Sequence, residues 1–164
     1  MLPKKYTKLV NLPTRSGPHH GPSPTYWSAD PIFLTVCTRN RAAVLANERA
    51  HNTLLSLWSD RSRWIVGPYV LMPEHIHMLL QESSSNRTPL STWIRWWKHE
   101  SATHITNQIV RWQRNYWDTR IRSERMLAEK IAYIRNNPVQ RNLVKSSEQW
   151  PFQGEILRID SRRS

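Results

Sequence analysis

Cysteine is almost missing from this chain. Cys37 stands alone, which excludes an intramolecular disulfide and suits a reducing compartment. Glycine numbers four, and no Gly-rich phosphate cradle, Cys-x-x-Cys pair or Ser nucleophile elbow is formed. No apolar run approaches the ~20 residues that span a bilayer, and no charged-then-apolar leader opens the sequence. No internal repeat or low-complexity block is present. Acidic residues are scarce. Asp and Glu total 12 against 24 Lys and Arg, for a net charge of +12 and a pI near 10.7.

The excess is mostly arginine, 18 residues against six lysines. Arginine presents a planar fork of donors that matches phosphate oxygens. The mean hydropathy of −0.66 is low, but nine Trp, five Tyr and two Phe supply rings large enough for a core. A basic, aromatic chain suits nucleic acid, since phosphates attract the cations and unstacked bases the rings. A basic surface without a partner is the plainer alternative. The 164 residues fit one domain.

Residues 1–25, with Pro3, Pro13, Pro18, Pro22 and Pro24, read as an extended or mobile basic arm. The domain proper is expected over 26–158, with a basic tail over 159–164. Ile32 to Thr38 is a β-branched apolar run and reads as a strand. Residues 46–62 suit a helix. Trp64 to Met72 and His75 to Gln81 read as strands joined tightly at Pro73-Glu74, hence an antiparallel pair. Thr88 and Pro89 are placed as N-cap and first residue of a helix whose apolar stripe is Leu90, Trp93, Ile94 and Trp97. Residues 111–118 read as a basic aromatic link. A last helix is expected over about 123–137, buried through Leu127, Ile131 and Ile134 and ended by Pro138. This order predicts an α+β fold, an antiparallel sheet with helices packed on one face.

Three groups of residues have chemical potential. On a strand, His75 and His77 share a face, so two imidazoles can meet a divalent ion; two ordinary strand histidines fit the same pattern. On a helix, Tyr133 and Asn137 share a face. Tyr133 is rotated about 120° from the apolar stripe, where it faces either a cleft or the sheet. Residues 87–125 hold five Trp and eight Lys or Arg, with three acids. Trp93 and Trp97 suit the core. Trp96, Trp112, Tyr116 and Trp117 suit either base stacking or a satellite aromatic core. The candidate nucleic-acid contacts are Arg95, Lys98, Arg111, Trp112, Arg114, Arg120 and Arg122. Cys37 reads as a small buried hydrophobe, and His19, His20, His99 and His104 need no ligand role.

Taken in order, five pieces resemble the REP-associated tyrosine transposases of the single-tyrosine HUH endonuclease group. They are Tyr26-Trp27, Val70 to His77, Trp112-Gln113 with Trp117-Asp118 and Ile121-Arg122, Tyr133-Ile134 with Asn137-Pro138-Val139, and Trp150-Pro151-Phe152. One departure is Asn142-Leu143-Val144 where the family has Gly-Leu-Val; Asn is the next best residue for a left-handed turn. The resemblance implies a ferredoxin-like sheet with both histidines on a central strand. It implies that His75, His77 and Asn137 hold a divalent metal, Mg²⁺ or Mn²⁺, and that Tyr133 is the nucleophile. The implied activity is cleavage and rejoining of single-stranded DNA at hairpin-forming repeats through a covalent 5′-phosphotyrosine, without ATP. A free phenol is ionised only about once in a thousand at pH 7, so such a metal would activate the phosphate. A non-catalytic binder of structured nucleic acid and a metal hydrolase acting on RNA with water as nucleophile remain alternatives. The implied setting is the bacterial cytoplasm, on the nucleoid, as a monomer or homodimer.

Overall fold

The structure, a computed structural model, describes residues 30–59, 63–83 and 88–159. The arm read at 1–25, the Tyr26-Trp27 pair and residues 160–164 of the tail lie outside these. Among the described residues the chain forms strands β1 (Ile32–Cys37), β2 (Trp64–Leu71), β3 (His75–Glu82), β4 (Trp117–Arg120) and β5 (Gln153–Glu155). The helices are α1 (Glu48–Trp58), α2 (Leu90–Ser101) and α3 (Glu124–Gln140). The sheet order is β4-β1-β3-β2-β5, with every neighbouring pair antiparallel. The first four strands and two helices give the β-α-β-β-α-β order of a ferredoxin-like fold.

The sheet is apolar on both sides, which corrects the expectation of helices on one face only. Leu34, Val36, Leu71, Ile76 and Met78 pack beneath α1 and α2, around Leu54, Trp58, Trp93, Ile94 and Trp97. Phe33, Val70 and Leu79 point the other way and meet Leu127 and Ile134 of α3, with Ile131 partly buried beside them. A central strand covered on both sides reads as a continuous apolar run, so its pattern does not count the covering layers. Trp58, Trp93 and Trp97 are fully buried and meet edge to face. Truncating any one costs about 3–5 kcal/mol. No helix among the described residues is long and apolar enough to cross a membrane.

Two helix ends differ from expectation. Pro89, not Thr88, occupies the N-cap of α2, and its carbonyl accepts from Thr92 and Trp93. Helix α3 passes through Pro138 and ends at Gln140. A proline near a C-terminus removes only one ladder bond, because the later amides still find carbonyls. Arg141 N–H donates to Asn137 O, Asn142 N–H to Val139 O and Leu143 N–H to Pro138 O. The last two bonds form a Schellman motif with Asn142 in the left-handed position, at φ 55°. Asn142→Ala is expected to lower unfolding free energy by about 1 kcal/mol and Asn142→Gly to leave it level or higher. Chemical denaturation midpoints check this.

Candidate metal and tyrosine site

Strand β3 alternates its residues between the two faces. Ile76 and Met78 enter the α1–α2 core, while His75 and His77 face α3. Both histidines are buried, and their Nε2 atoms converge to 3.1 Å. Each ring is fixed from behind. His77 Nδ1 lies 2.8 Å from Thr35 Oγ1 on β1, and His75 Nδ1 lies 3.1 Å from Glu74 Oε1. The Arg141 guanidinium donates to the same carboxylate oxygen at 2.6 Å. Phe33 stacks on His77 with ring centroids 5.4 Å apart.

Helix α3 lays one stripe, Tyr133, Asn137 and Arg141, along this row. The Tyr133 ring meets His77 edge-on at 5.1 Å and Phe33 at 5.9 Å. Arg141, two turns later, meets Glu74. Asn137 is the middle member of a stripe whose ends are pinned to strand β3 and its approach. It is buried, and its Oδ1 has no hydrogen-bond partner. The Lys130 ammonium lies 4.6 Å above the Phe33 ring and 5.7 Å from the Tyr133 ring.

The electrostatics favour neutral imidazoles. Burial holds His75 below the usual histidine range, although the Glu74 carboxylate pulls it back up. Burial holds His77 well below that range, and His75, Lys130, Arg41 and Arg141 push in the same direction. Burial works against ionised Glu74, but the His75 contact and Arg141 keep its carboxyl below the ordinary value. Neutral imidazoles with Nδ1–H bonds to oxygen are suited to present Nε2 lone pairs to a cation. Among the described residues, no group of three or more His, Cys, Asp or Glu is assembled for a metal. The third donor available here is therefore an amide oxygen, and the unpartnered Asn137 Oδ1 fits that role.

The Transposase IS200 like family model matches residues 31–137, a span that begins just before β1 and ends at Asn137. The chain belongs to this family. A Haemophilus influenzae protein named as a REP-associated tyrosine transposase is 27% identical over 101 residues, half of this chain. The chain spans about half of that relative's length, 53%. A solved structure of a REP-associated tyrosine transposase bound to a REP hairpin is 22% identical and has a TM-score of 0.64. The match covers 88% of this chain and 98% of that one. The likeness bears out the α+β, ferredoxin-like fold.

The surface residues read as transposase contacts with nucleic acid separate into two groups. Arg95, Arg111, Arg114 and Arg122 are exposed, and Arg120 is partly so, at the end of edge strand β4. Lys98 is a correction. It is 8% exposed, donates to Gln113 O at 2.9 Å, and lies over the Tyr116 ring at 5.9 Å. Burial lowers its pKa to about 8. Lys98 follows Trp97 on a helix whose two flanks are both covered, a fact invisible in the α2 stripe. Trp112 is half-buried against the same core. Its Nε1–H donates to Ser101 Oγ at 3.2 Å, and its ring meets Trp97 edge-on at 5.3 Å. Trp96 and Tyr116 pack against the same core and are, like Trp112, half-buried. Cys37 is buried, and burial raises its thiol to about 11, as suits a packing residue. Glu74, Arg141, Thr35 and Lys130 were not singled out by sequence. Extending the 133–137 stripe by one more turn is the signal that would have found Arg141.

Lys98→Met is expected to leave DNA affinity and its salt slope unchanged, because no exposed charge is removed. Folded Lys98 loses its proton near pH 8, whereas an unfolded lysine holds it to about 10.4. The parent therefore gains stability relative to Lys98→Met as pH rises from about 8 to about 10. Paired denaturation curves across that range check the sign. The contribution from Cys37 is opposite in sign and is itself lowered by the Lys98 ammonium, so the comparison is made with Cys37→Ala in both proteins.

Proposed function

We propose that the chain is a metal-dependent endonuclease and strand-transferase for single-stranded DNA at hairpin-forming repeats, with Tyr133 as nucleophile. The observation that carries this reading is the convergence of the buried His75 and His77 Nε2 atoms to 3.1 Å, with the Tyr133 ring edge-on to His77 at 5.1 Å. Membership of the transposase family and a fold shared with a hairpin-bound relative support it.

In this reading His75 and His77 give their Nε2 atoms, and Asn137 its Oδ1, to a divalent ion, Mg²⁺ or Mn²⁺. Their Nδ1 protons rest on Glu74 and Thr35, which fixes both ring orientations. When bound, the ion neutralises charge on the scissile phosphate and keeps positions open for its oxygens. The chain's own residues do the rest. Phe33 and His77 hold the Tyr133 ring from one side while α3 holds it from the other. The Tyr133 oxygen forms a bond to phosphorus and the bond from phosphorus to the 3′-oxygen breaks. The phenolic proton ends, in net terms, on the released 3′-hydroxyl. The 5′-phosphate stays on Tyr133 as a diester, so attack by another 3′-hydroxyl reverses the step and rejoins a strand. The exposed arginines 95, 111, 114 and 122 are available for phosphate contacts. The proposed setting is the bacterial cytoplasm.

Tyr133→Phe keeps the ring and its contacts but removes the attacking oxygen. It is expected to bind a tailed DNA hairpin like the parent and to form no covalent adduct. His77→Ala is expected to lose adduct formation at least a hundredfold while keeping most hairpin affinity, which comes from phosphate contacts. Denaturing gels of the parent with Mn²⁺ and with EDTA check both variants. Undiminished adduct in EDTA would overturn the metal assignment. Free 5′-phosphate ends without any adduct would make water the nucleophile.

A further inference from the structure

Helix α3 carries one more charged residue along the row that faces the histidines. Lys130 stands seven positions before Asn137, two helical turns away on nearly the same line. Along the helix the order is Lys130, Tyr133, Asn137 and Arg141. The sheet side follows in step. The Lys130 ammonium meets Phe33, the Tyr133 ring meets Phe33 and His77, and Arg141 meets Glu74 beside His75. Tyr133 therefore has His75 and Asn137 towards one end of the row and an ammonium towards the other.

Three observations separate Lys130 from an ordinary surface lysine. First, its ammonium lies against two rings of the site, 4.6 Å from the Phe33 centroid and 5.7 Å from that of Tyr133. The stem is thus laid over the site. Second, Lys130 forms no ion pair among the described residues; the adjacent Glu129 pairs with Arg125 instead. Third, the side chain is half-buried, which leaves part of it open to a ligand. Its charge also reaches His77, which it helps to hold neutral. Lys98 is the contrast, with a buried ammonium already donating to Gln113 O.

We propose that Lys130 is a catalytic residue of this site, its ammonium taking a non-bridging oxygen of the scissile phosphate while the Tyr133 oxygen attacks phosphorus. Reacting atoms approach to ~3–3.5 Å before they bond, so the phosphate stands at the phenol's edge. The flexible four-carbon stem lets the ammonium turn from the Phe33 ring to meet it. In-line displacement spreads charge over the non-bridging oxygens, and a cation already held beside them stabilises that state at little reorganisation cost. Lys130 stays protonated throughout. The bond that forms is from the Tyr133 oxygen to phosphorus and the bond that breaks is from phosphorus to the 3′-oxygen, as above. After cleavage the same ammonium faces the phosphotyrosine diester, so it serves the rejoining step too. The proposal rests on the tyrosine nuclease reading above and adds to it a charge supplied by the chain itself. A lysine that merely covered Phe33 would act alike on every substrate, which gives the test its contrast.

The test is single-turnover adduct formation by the full chain on a tailed DNA hairpin, in Mg²⁺ and in Mn²⁺. The scissile phosphate is natural or is replaced by one phosphorothioate diastereomer at a time. Lys130→Met keeps the stem over Phe33 and removes the charge, whereas Lys130→Arg keeps the charge. On natural phosphate at saturating DNA, Lys130→Met is expected to form adduct roughly a hundredfold more slowly than the parent, with Lys130→Arg the faster of the two variants. In EDTA both should bind the hairpin within about twofold of the parent, since one phosphate contact among many is altered. Sulfur weakens the bond from the ammonium. One diastereomer should therefore react about tenfold more slowly than phosphate in the parent, with either metal, and this penalty should vanish in Lys130→Met. Parent-like rates in Lys130→Met overturn the inference. So does a slow Lys130→Met whose sulfur penalties match the parent's, the mark of a structural role, and so does a loss of hairpin binding as large as the loss of rate. These three outcomes leave the nuclease standing wherever the parent forms an adduct and Tyr133→Phe does not. A parent that forms no adduct removes the nuclease reading, and the role of Lys130 with it.

Discussion

Two imidazoles buried side by side on a central strand have to stay neutral, and much of the surrounding structure follows from that. Two imidazolium ions at a nitrogen separation of 3.1 Å would repel strongly with little water to screen them. Burial lowers both histidines, and Thr35 and Glu74 occupy the Nδ1 sides. What remains is a pair of buried Nε2 atoms 3.1 Å apart, placed to share a proton or a cation. Such a pair is a poor way to stabilise a sheet and a good way to hold a cation.

The second half of the site is brought in by a different element. Helix α3 is fixed to the sheet by Leu127 and Ile134 and at its far end by the Arg141–Glu74 ion pair. A partly buried, charge-assisted contact of this kind is short and directional. It sets the helix rotation, and with it the face that carries Tyr133 and Asn137. The same Glu74 carboxylate orients His75. One side chain thus sets the relation between the strand histidines and the helix tyrosine, so the two halves are not independent.

The legible parts of the molecule were those with a strict period. The alternation Ile76, Met78 against His75, His77 placed both histidines on one face, and the four-residue step placed Tyr133 above Asn137. The layering was not legible, because β1 and β3 are apolar on both faces and give no sign of α3 on the second. Strand β4 is four residues with Asp118 and Arg120 in it, and it looked like a link. It is a strand because Ile32 to Thr35 offer it backbone partners, a long-range fact. Strand β5, Gln153–Glu155, has no apolar pattern at all and exists through its pairing with Pro68 to Val70. Lys98 looked like a phosphate contact since its charge is visible in sequence and its burial is not. The Glu74–Arg141 pair spans 67 positions, beyond the reach of any local rule.

The central claim is that His75 and His77 share one ion beneath Tyr133. Electron spin resonance of the parent with one equivalent of Mn²⁺ tests it most directly, through nitrogen couplings from coordinated imidazole. Two coupled nitrogens are expected in the parent and one in His77→Ala, with Tyr133→Phe unchanged from the parent. A spectrum of fully hydrated Mn²⁺ in the parent, or nitrogen couplings that persist unaltered in His77→Ala, would contradict the account.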